Sequence, residues 1–501
     1  MDRLPTELLL TIGRHTQQDR CPQSTIYSLS LCCRRFHNIF SPLMYSYISS
    51  DTFSEKFIYF IMRIWREPEL ARQVHRLDLC WSQCDQHDPL EVDQEMGRFI
   101  DAALNEIFSA KERKQREEWK LHLRGEEGLC AEAWLGLLLV RLPNLRIIQF
   151  EHEQTELISD VLLKAVMRQQ PFQHDVPFPH LQEVRACVAW GASWIDSDFL
   201  TPFFQFPAVR RLYGTAIGEK RPDNSLKRLI HRVPCPVREI VIEEGYWCRG
   251  MLDWLALCTD LERISIGVEI QADEYEIEED EAFNAATFRV AILPFAKTLR
   301  SLRIWYGDSY NDQLEETEAV ETPFGSLRAF TALQQLTFRH DHLIRLSCDS
   351  TTHPDLEPLS DSLPQSLVSL EITDIVIDSH IELRSELSKL LLSSSSFPHL
   401  RQIRLCISSE DEDELNDMFN GLKLECQTAG ITLIIGQIHL QNLRTYSLID
   451  YNSYILNQLY GHNLAIVCLP SGVHGAASVA IVVIQMQSTF ESIRFGLMLG
   501  I

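Results

Sequence analysis

The sequence predicts an α/β protein in which a short all-helical hairpin precedes an irregular solenoid of parallel strands. Three observations predict it. Two N-terminal stretches, Leu4–Ile12 and Ser24–Phe40, place their apolar residues three and four apart, the period of a helix with one buried face. Beyond them a phrase with apolar residues at i, i+3 and i+5 returns ten times. Between returns the period switches to helical, so each unit reads as one strand and one helix; such units stack into a parallel solenoid.

In the first helix, LPTELLLTI, Pro5 sits early, where a missing N–H costs nothing, and Leu8, Leu9 and Ile12 share a stripe. The second helix is expected to start at a Ser24 or Thr25 cap and to end at Pro42. Leu29, Cys32, Cys33, Phe36, Ile39 and Phe40 form its apolar stripe, leaving Arg34, Arg35, His37 and Asn38 to solvent. A hairpin of this size cannot bury so much apolar surface alone, so another chain or the following domain is expected to cover part of it.

The LPxELLxxI opening, the Leu29–Phe36 pattern Leu-x-Leu-x-Cys-Arg-Arg-Phe and the closing Pro42-Leu43-Met44-Tyr45 resemble an F-box, assigned to residues 1–50. The departure is the joint, Gly13 to Gln23, which is longer and more polar than is usual in that family. The resemblance implies docking on a Skp-type adaptor and, through it, a cullin. The adaptor-binding residues it implies are Leu4, Pro5, Leu8, Leu9, Ile12, Leu29, Cys33, Phe36, Ile39, Pro42, Leu43 and Tyr45.

Residues 51–73 read as a linker helix, Phe53 to Arg66, with Phe57, Phe60, Ile61 and Ile64 on one face and Pro68 as its stop. The solenoid is assigned to 74–436. Its phrases begin at Val74, Leu145, Leu181, Val209, Val237, Leu261, Leu299, Leu333, Leu367 and Leu400. Helical stretches between them include Ile158–Arg168, Leu226–His231, Met251–Leu257, Phe283–Phe295, His380–Leu392 and Glu414–Cys426. The gap between Leu79 and Leu145 is about two units wide; it holds an amphipathic helix from Met96 to Phe108, then KERKQREEWK, read as an exposed helical extension.

These units resemble irregular leucine-rich repeats, although the expected Asn after the third apolar residue is missing throughout. A doubly wound sheet is the main alternative and would need longer strands and a Gly-rich ligand loop, neither of which is seen. Residues 437–501 leave the repeat and read either as a capping strand pair or as a loosely packed extension. Within them Val479–Ile484 is β-prone, and Pro470, Gly472 and Gly475 interrupt the apolar stretch before it reaches a membrane-spanning length.

A hydrophobic content of 45% and a charged content of 23% are those of a globular chain. The net charge of −24 argues against general binding to nucleic acid or anionic membranes. Twenty acids in Glu269–Glu281, Asp308–Glu321 and Glu410–Asp417 account for nearly all of it. Charge runs are commonly solvated loops; each of these starts a few residues after a phrase, so in a solenoid they are expected to form one acidic rim. Fourteen scattered cysteines and the absence of an apolar leader after MDRLPTE point to reduced thiols in cytoplasm or nucleus.

Sites of bond chemistry are not evident. Cys80, Cys84 and His87, with His75 more distant, lack the tight pairing of a structural zinc site, and GVHGAAS lacks the Lys-Ser/Thr of a phosphate loop. No cofactor, metal or catalytic residue is assigned. The expected function is substrate recognition in an SCF-type cullin ubiquitin ligase; an F-box protein acting outside a ligase and a hydrolase with a dispersed site are the alternatives. The outward columns of the later phrases hold Arg263, Arg303, Trp305, Arg339 and Arg404 against one acid, Glu371. Arginine forks pair with carboxylate or phosphate, so these five are the candidate target-binding residues for an acidic or phosphorylated segment; the competing reading is that they solvate the sheet or pair with the acidic rim.

Overall fold

A computed structural model describes residues 4–16, 22–49, 54–80, 92–125, 130–151, 156–188, 194–219, 235–269, 283–307, 324–343, 358–375, 380–407, 412–437, 454–459 and 462–467. The chain divides into two compact units, Met1–Tyr45 with His439–Ile501, and Ser46–Ile438.

The first unit opens with three helices, α1 (Thr6–Thr16), α2 (Pro22–Cys32) and α3 (Arg34–Met44). Two expectations are corrected here. The long second helix is broken at Cys33, whose backbone is extended (φ −161°, ψ 166°) and whose sulfur accepts the Phe36 N–H at 3.4 Å, so Cys33 caps α3. Pro42 lies inside α3 instead of ending it. Both Pro42 and Asn38, whose carbonyl loses its donor to the proline, face solvent, which removes the usual penalty. Leu9, Ile26, Leu29, Phe36 and Phe40 form the core of this unit, with Leu4, Cys33, Ile39, Leu43 and Met44 packed against it. Gly13 lets α1 close on α3: a Cβ there would stand 2.6 Å from Leu43 and 2.9 Å from the Phe40 ring.

The second unit runs β1 (Tyr47–Ser49), α4 (Glu55–Arg66), α5 (Pro68–Ala71), β2 (Arg76–Cys80), α6 (Gln94–Ile107), α7 (Arg113–Arg124), α8 (Ala131–Val140), β3 (Ile147–Glu151), α9 (Glu156–Val166), β4 (Glu183–Cys187), β5 (Ile195–Asp196), α10 (Ser197–Leu200), β6 (Arg211–Gly214), β7 (Ile217–Gly218) and β8 (Glu239–Tyr246). It continues with α11 (Leu252–Leu257), β9 (Arg263–Glu269), α12 (Ala285–Ile292), β10 (Ser301–Tyr306), β11 (Gln335–Arg339), α13 (His340–Leu343), α14 (Leu359–Ser362), β12 (Ser369–Ile375), α15 (His380–Leu392), β13 (Gln402–Ile407), α16 (Glu412–Thr428) and β14 (Thr432–Gln437).

The main strands form one sheet in the order β1-β2-β3-β4-β6-β8-β9-β10-β11-β12-β13-β14, every neighbour parallel. Each of the ten phrases supplies one of these strands. Register aligns their apolar positions into continuous buried rows, from Leu77 beside Ile148, through Ile264 beside Leu302, to Leu370 beside Ile403. Burying a row of such side chains at about 1.5–3 kcal/mol each is what holds neighbouring units together. Bulges interrupt the ladder between Ile242 and Gly245 in β8 and between Ile372 and Ile375 in β12. β1 and β14 add a strand at either end that the phrase did not announce.

The wide gap after β2 contains no strand among its described residues; β2 pairs directly with β3, and the chain between them supplies α6, α7 and α8. The expected exposed extension is corrected as well. Trp119 and Leu123 of α7 are buried, and a Cβ on Gly136 would meet the Trp119 ring at 2.7 Å, so α7 packs tightly on α8. A helix as apolar all round as AEAWLGLLLV can only be covered on every side.

Glutamates tie the helix layer together, Glu219 buried and Glu132 and Glu386 partly so. Glu132 on α8 accepts the Ile158 N–H of α9 at 2.9 Å, and Glu386 on α15 accepts the Leu359 N–H of α14 at 3.0 Å. Glu219 accepts from the backbones of Arg249 and Met251, each at 2.8 Å, and of Leu252 at 3.2 Å, capping α11. Each satisfies helix N-terminal donors that have no partner within their own helix.

In the C-terminal part of the first unit, β15 (Tyr454–Leu459) and β16 (His462–Val467) form an antiparallel pair. The Val479–Ile484 run lies outside the described residues.

Candidate functional site

Two surfaces carry the residues singled out by sequence. The first is the helical unit. Of the twelve positions implied as adaptor-binding, Leu9, Leu29 and Phe36 lie in its core, Phe36 only 3% exposed. Leu4, Cys33, Ile39 and Leu43 pack against that core; Leu8, Ile12 and Tyr45 are partly buried, while Pro5 and Pro42 are exposed. Arg35 reaches back to the Leu4 carbonyl at 2.6 Å and pins the start of the chain. The largest exposed apolar side chains here are Tyr27, 55% exposed, and Leu31, 64% exposed, both on α2. Sequence reasoning missed them because a single continuous helix sets the wrong phase; the break at Cys33 turns Ile26, Leu29 and Ser30 inward and leaves Tyr27, Leu31 and Cys32 outside.

The second surface is the outward face of the sheet. Side chains alternate across each strand, so the residues between the buried rows line this face. On β1–β8 several charges are matched in place. Arg76 meets Asp78 at 2.8 Å and lies over the Tyr47 ring, whose hydroxyl donates to Asp78 at 2.7 Å. Glu183, 3% exposed, is held by Arg185 at 2.5 Å and Arg211 at 3.0 Å. The Tyr213 hydroxyl donates to Glu239 at 3.4 Å, and Arg185 sits over the Tyr213 ring.

On β9–β13 the pattern changes. Arg263 is exposed at the start of β9, and Arg303 lies half-buried on β10 between Ser265 and Thr337. Trp305 lies opposite Gly267, where a Cβ would run into the indole and into the Glu243 carbonyl; only a glycine leaves the ring that seat. Glu371 accepts from the Thr337 hydroxyl at 2.9 Å and the Cys406 thiol at 3.5 Å, with the Arg404 guanidinium 3.7 Å away. Burial, and then that carboxylate, push the Cys406 thiol up to about 12. Arg339, expected to point away from the core, is 8% exposed; it lies over the Tyr306 ring with Nε 3.2 Å from Asp341.

Sequence thus places all five candidates on β9, β10, β11 and β13, and the fold brings Arg263, Arg303, Trp305 and Arg404 to one face while Arg339 is buried against Tyr306 and Asp341. Beside Arg339, His342 accepts or donates a 2.5 Å hydrogen bond with the Tyr306 hydroxyl in a ring of Phe283, Phe324 and Phe338. No sequence period announced that pair. The acidic runs Glu269–Glu281 and Asp308–Glu321 lie outside the described residues but for Glu269, and of Glu410–Asp417 only the helical backbone from Glu412 is described; β9, β10 and β13, which precede them, are parallel and end at one edge of the sheet.

Burial pushes the carboxyls of Glu132 and Glu219 up to about 7, although backbone N–H donors pull each back. Both are helix caps enclosed by protein, without the substrate access that acid–base chemistry needs. Among the described residues no group of three or more His, Cys, Asp and Glu could hold a metal, and no helix is long and apolar enough to cross a membrane. Cys84 and His87 lie outside the described residues.

The family model of the leucine-rich repeat domain matches residues 60–423, most of the chain and nearly all of the sheet just described. The chain belongs to the leucine-rich repeat family. A stretch of 52 residues is also 48% identical to a nucleotide-binding leucine-rich repeat (NLR)-like protein of Hyaloscypha variabilis. That match covers 10% of this chain and 5% of the relative, so the chain spans about a twentieth of that protein's length. Leucine-rich repeats are protein-binding modules, and their strand face offers a continuous surface to a partner.

Proposed function

We propose that the protein is the substrate-recognition subunit of an SCF-type cullin ubiquitin ligase of the cytoplasm or nucleus. Its N-terminal helices would dock a Skp-type adaptor, its leucine-rich repeats would hold the target, and it would perform no bond chemistry itself. The observation that carries the reading is the helical unit: the F-box-like sequence folds into three helices around one small core and still leaves Tyr27 and Leu31 at the surface. Apolar side chains so placed are what a docking interface buries. The repeat family supports a protein as the bound target, and the arginines of β9, β10 and β13 favour an acidic or phosphorylated segment of it.

Co-purification with adaptor and cullin tests the proposal. Leu31→Asp and Tyr27→Asp should each lower adaptor affinity by at least about 100-fold, since a buried unpaired charge costs several kcal/mol. Leu8→Asp acts at the partly buried edge of α1 and should weaken binding in the same direction. Phe36→Asp is a different experiment, because it strikes the core and should unfold the helical unit. Wild-type affinity in both α2 variants would sink the adaptor assignment; adaptor without cullin would move the protein outside a ligase.

A further inference from the structure

Cys235 and Cys258 are far apart in sequence but face each other across an isolated parallel bridge just before β8 and β9. Both are free thiols, 2% and 8% exposed, with their sulfurs 3.8 Å apart. Neighbouring strands run about 4.8 Å apart, within the range of about 4.4–6.8 Å between Cα atoms that a disulfide spans. Closing the sulfurs to the bonded distance of about 2.05 Å therefore takes a rotation of side chains and no refolding of the strands.

We propose that Cys235 and Cys258 are an oxidative modification site, converted by hydrogen peroxide into a reversible intramolecular disulfide. The shared hydrogen bond holds the Cys235 thiol below its ordinary range and, with burial, keeps Cys258 above it, so Cys235 is the attacking sulfur. Its thiolate attacks one peroxide oxygen; the O–O bond breaks, hydroxide leaves, and Cys235 becomes a sulfenic acid. The Cys258 sulfur then attacks Cys235, the S–O bond breaks, and the departing hydroxide takes the Cys258 proton as water. Two thiols give up two electrons and two protons, and one peroxide becomes two waters. The cross-link closes a loop holding β8 and α11, directly beside the arginine-bearing strands.

The test uses the full-length reduced protein exposed to hydrogen peroxide, then denatured in N-ethylmaleimide, digested and weighed by mass spectrometry. A cross-linked pair of peptides containing Cys235 and Cys258, lost again in dithiothreitol, is expected, together with a melting temperature raised by a few degrees. Cys258→Ser should stop the reaction at a Cys235 sulfenic acid trapped by dimedone. Complete alkylation of both cysteines in the wild-type protein after peroxide, or separate oxidation of each to sulfinic acid, overturns the proposal whether or not the variant folds.

Discussion

The outward face of β1–β8 and that of β9–β13 rest on the same buried rows, yet they treat charge oppositely. In the first, two charge groups close on themselves: Arg76 with Asp78, and Glu183 with Arg185 and Arg211. In the second, Glu371 is the carboxylate beside Arg404, Arg303 stands between serine and threonine, and Arg263 stands between Glu239 and Ser301. A repeat fixes which positions face inward and leaves the outward ones to sequence, so one scaffold carries a self-neutralised surface and a cationic one. The difference points to where a partner would bind. Ions already closed on one another offer a charged ligand less than an arginine-rich row does.

The largest expected effect breaks this comparison at the ligand. Replacing Arg263, Arg303 and Arg404 together by Glu should reduce capture of an acidic or phosphorylated target at least about 100-fold, measured by pull-down, while adaptor binding is unchanged; each lost charge-assisted hydrogen bond is worth about 1.5–3 kcal/mol. Arg76→Glu with Arg211→Glu should leave capture intact. Equal loss from both variants would dissolve the distinction.

The second effect is pH dependence, and its sign differs between particular carboxyls. Burial raises Glu132 and Glu219 from 4.5 to about 7 in the folded N-terminal half, so the native state binds protons more tightly than the unfolded chain there. Stability is then fullest below pH 4.5 and falls as pH rises toward 7, by up to about 3 kcal/mol per group. Glu219→Gln should flatten its share of that slope in urea titrations between pH 5 and about 8. In the C-terminal half burial pushes Asp341 up, but the hydrogen bond with His340 and the Arg339 charge outweigh it and hold the carboxyl below its usual 3.8. Its contribution is present above that value and is lost as pH falls below it.

A smaller effect separates the two carboxylates of the outward face. Glu183→Gln removes a nearly buried charge from between two guanidiniums and should cost roughly 1–3 kcal/mol in urea unfolding. Glu371→Gln, with Arg404 more distant and half-exposed, should cost less than about 1 kcal/mol. The reverse order would mean that the matched face is the less essential one. Smallest of all, Arg263→Ala should change stability by no more than about 0.5 kcal/mol, because the side chain is exposed.

What the sequence by itself determined is the repeat. Ten phrases became ten strands because a spacing of three then two commits the same side chains to burial in every unit. It also placed helices such as α15 and α6, whose stripes are wide. It did not determine where a period was interrupted by one residue. Cys33 as a cap, the bulges in β8 and β12, and the left-handed Asp374 are each single-residue events that a periodic pattern does not record. Tertiary structure alone decided that α7 is packed, since Trp119 is buried only once α8 supplies Gly136 beside it. It alone turned Arg339 toward Tyr306 and Asp341, and it brought Cys235 to Cys258. Periodicity reports which face of a segment avoids water, whereas pairing between polar groups depends on which neighbour the fold delivers, and that is a property of register between strands.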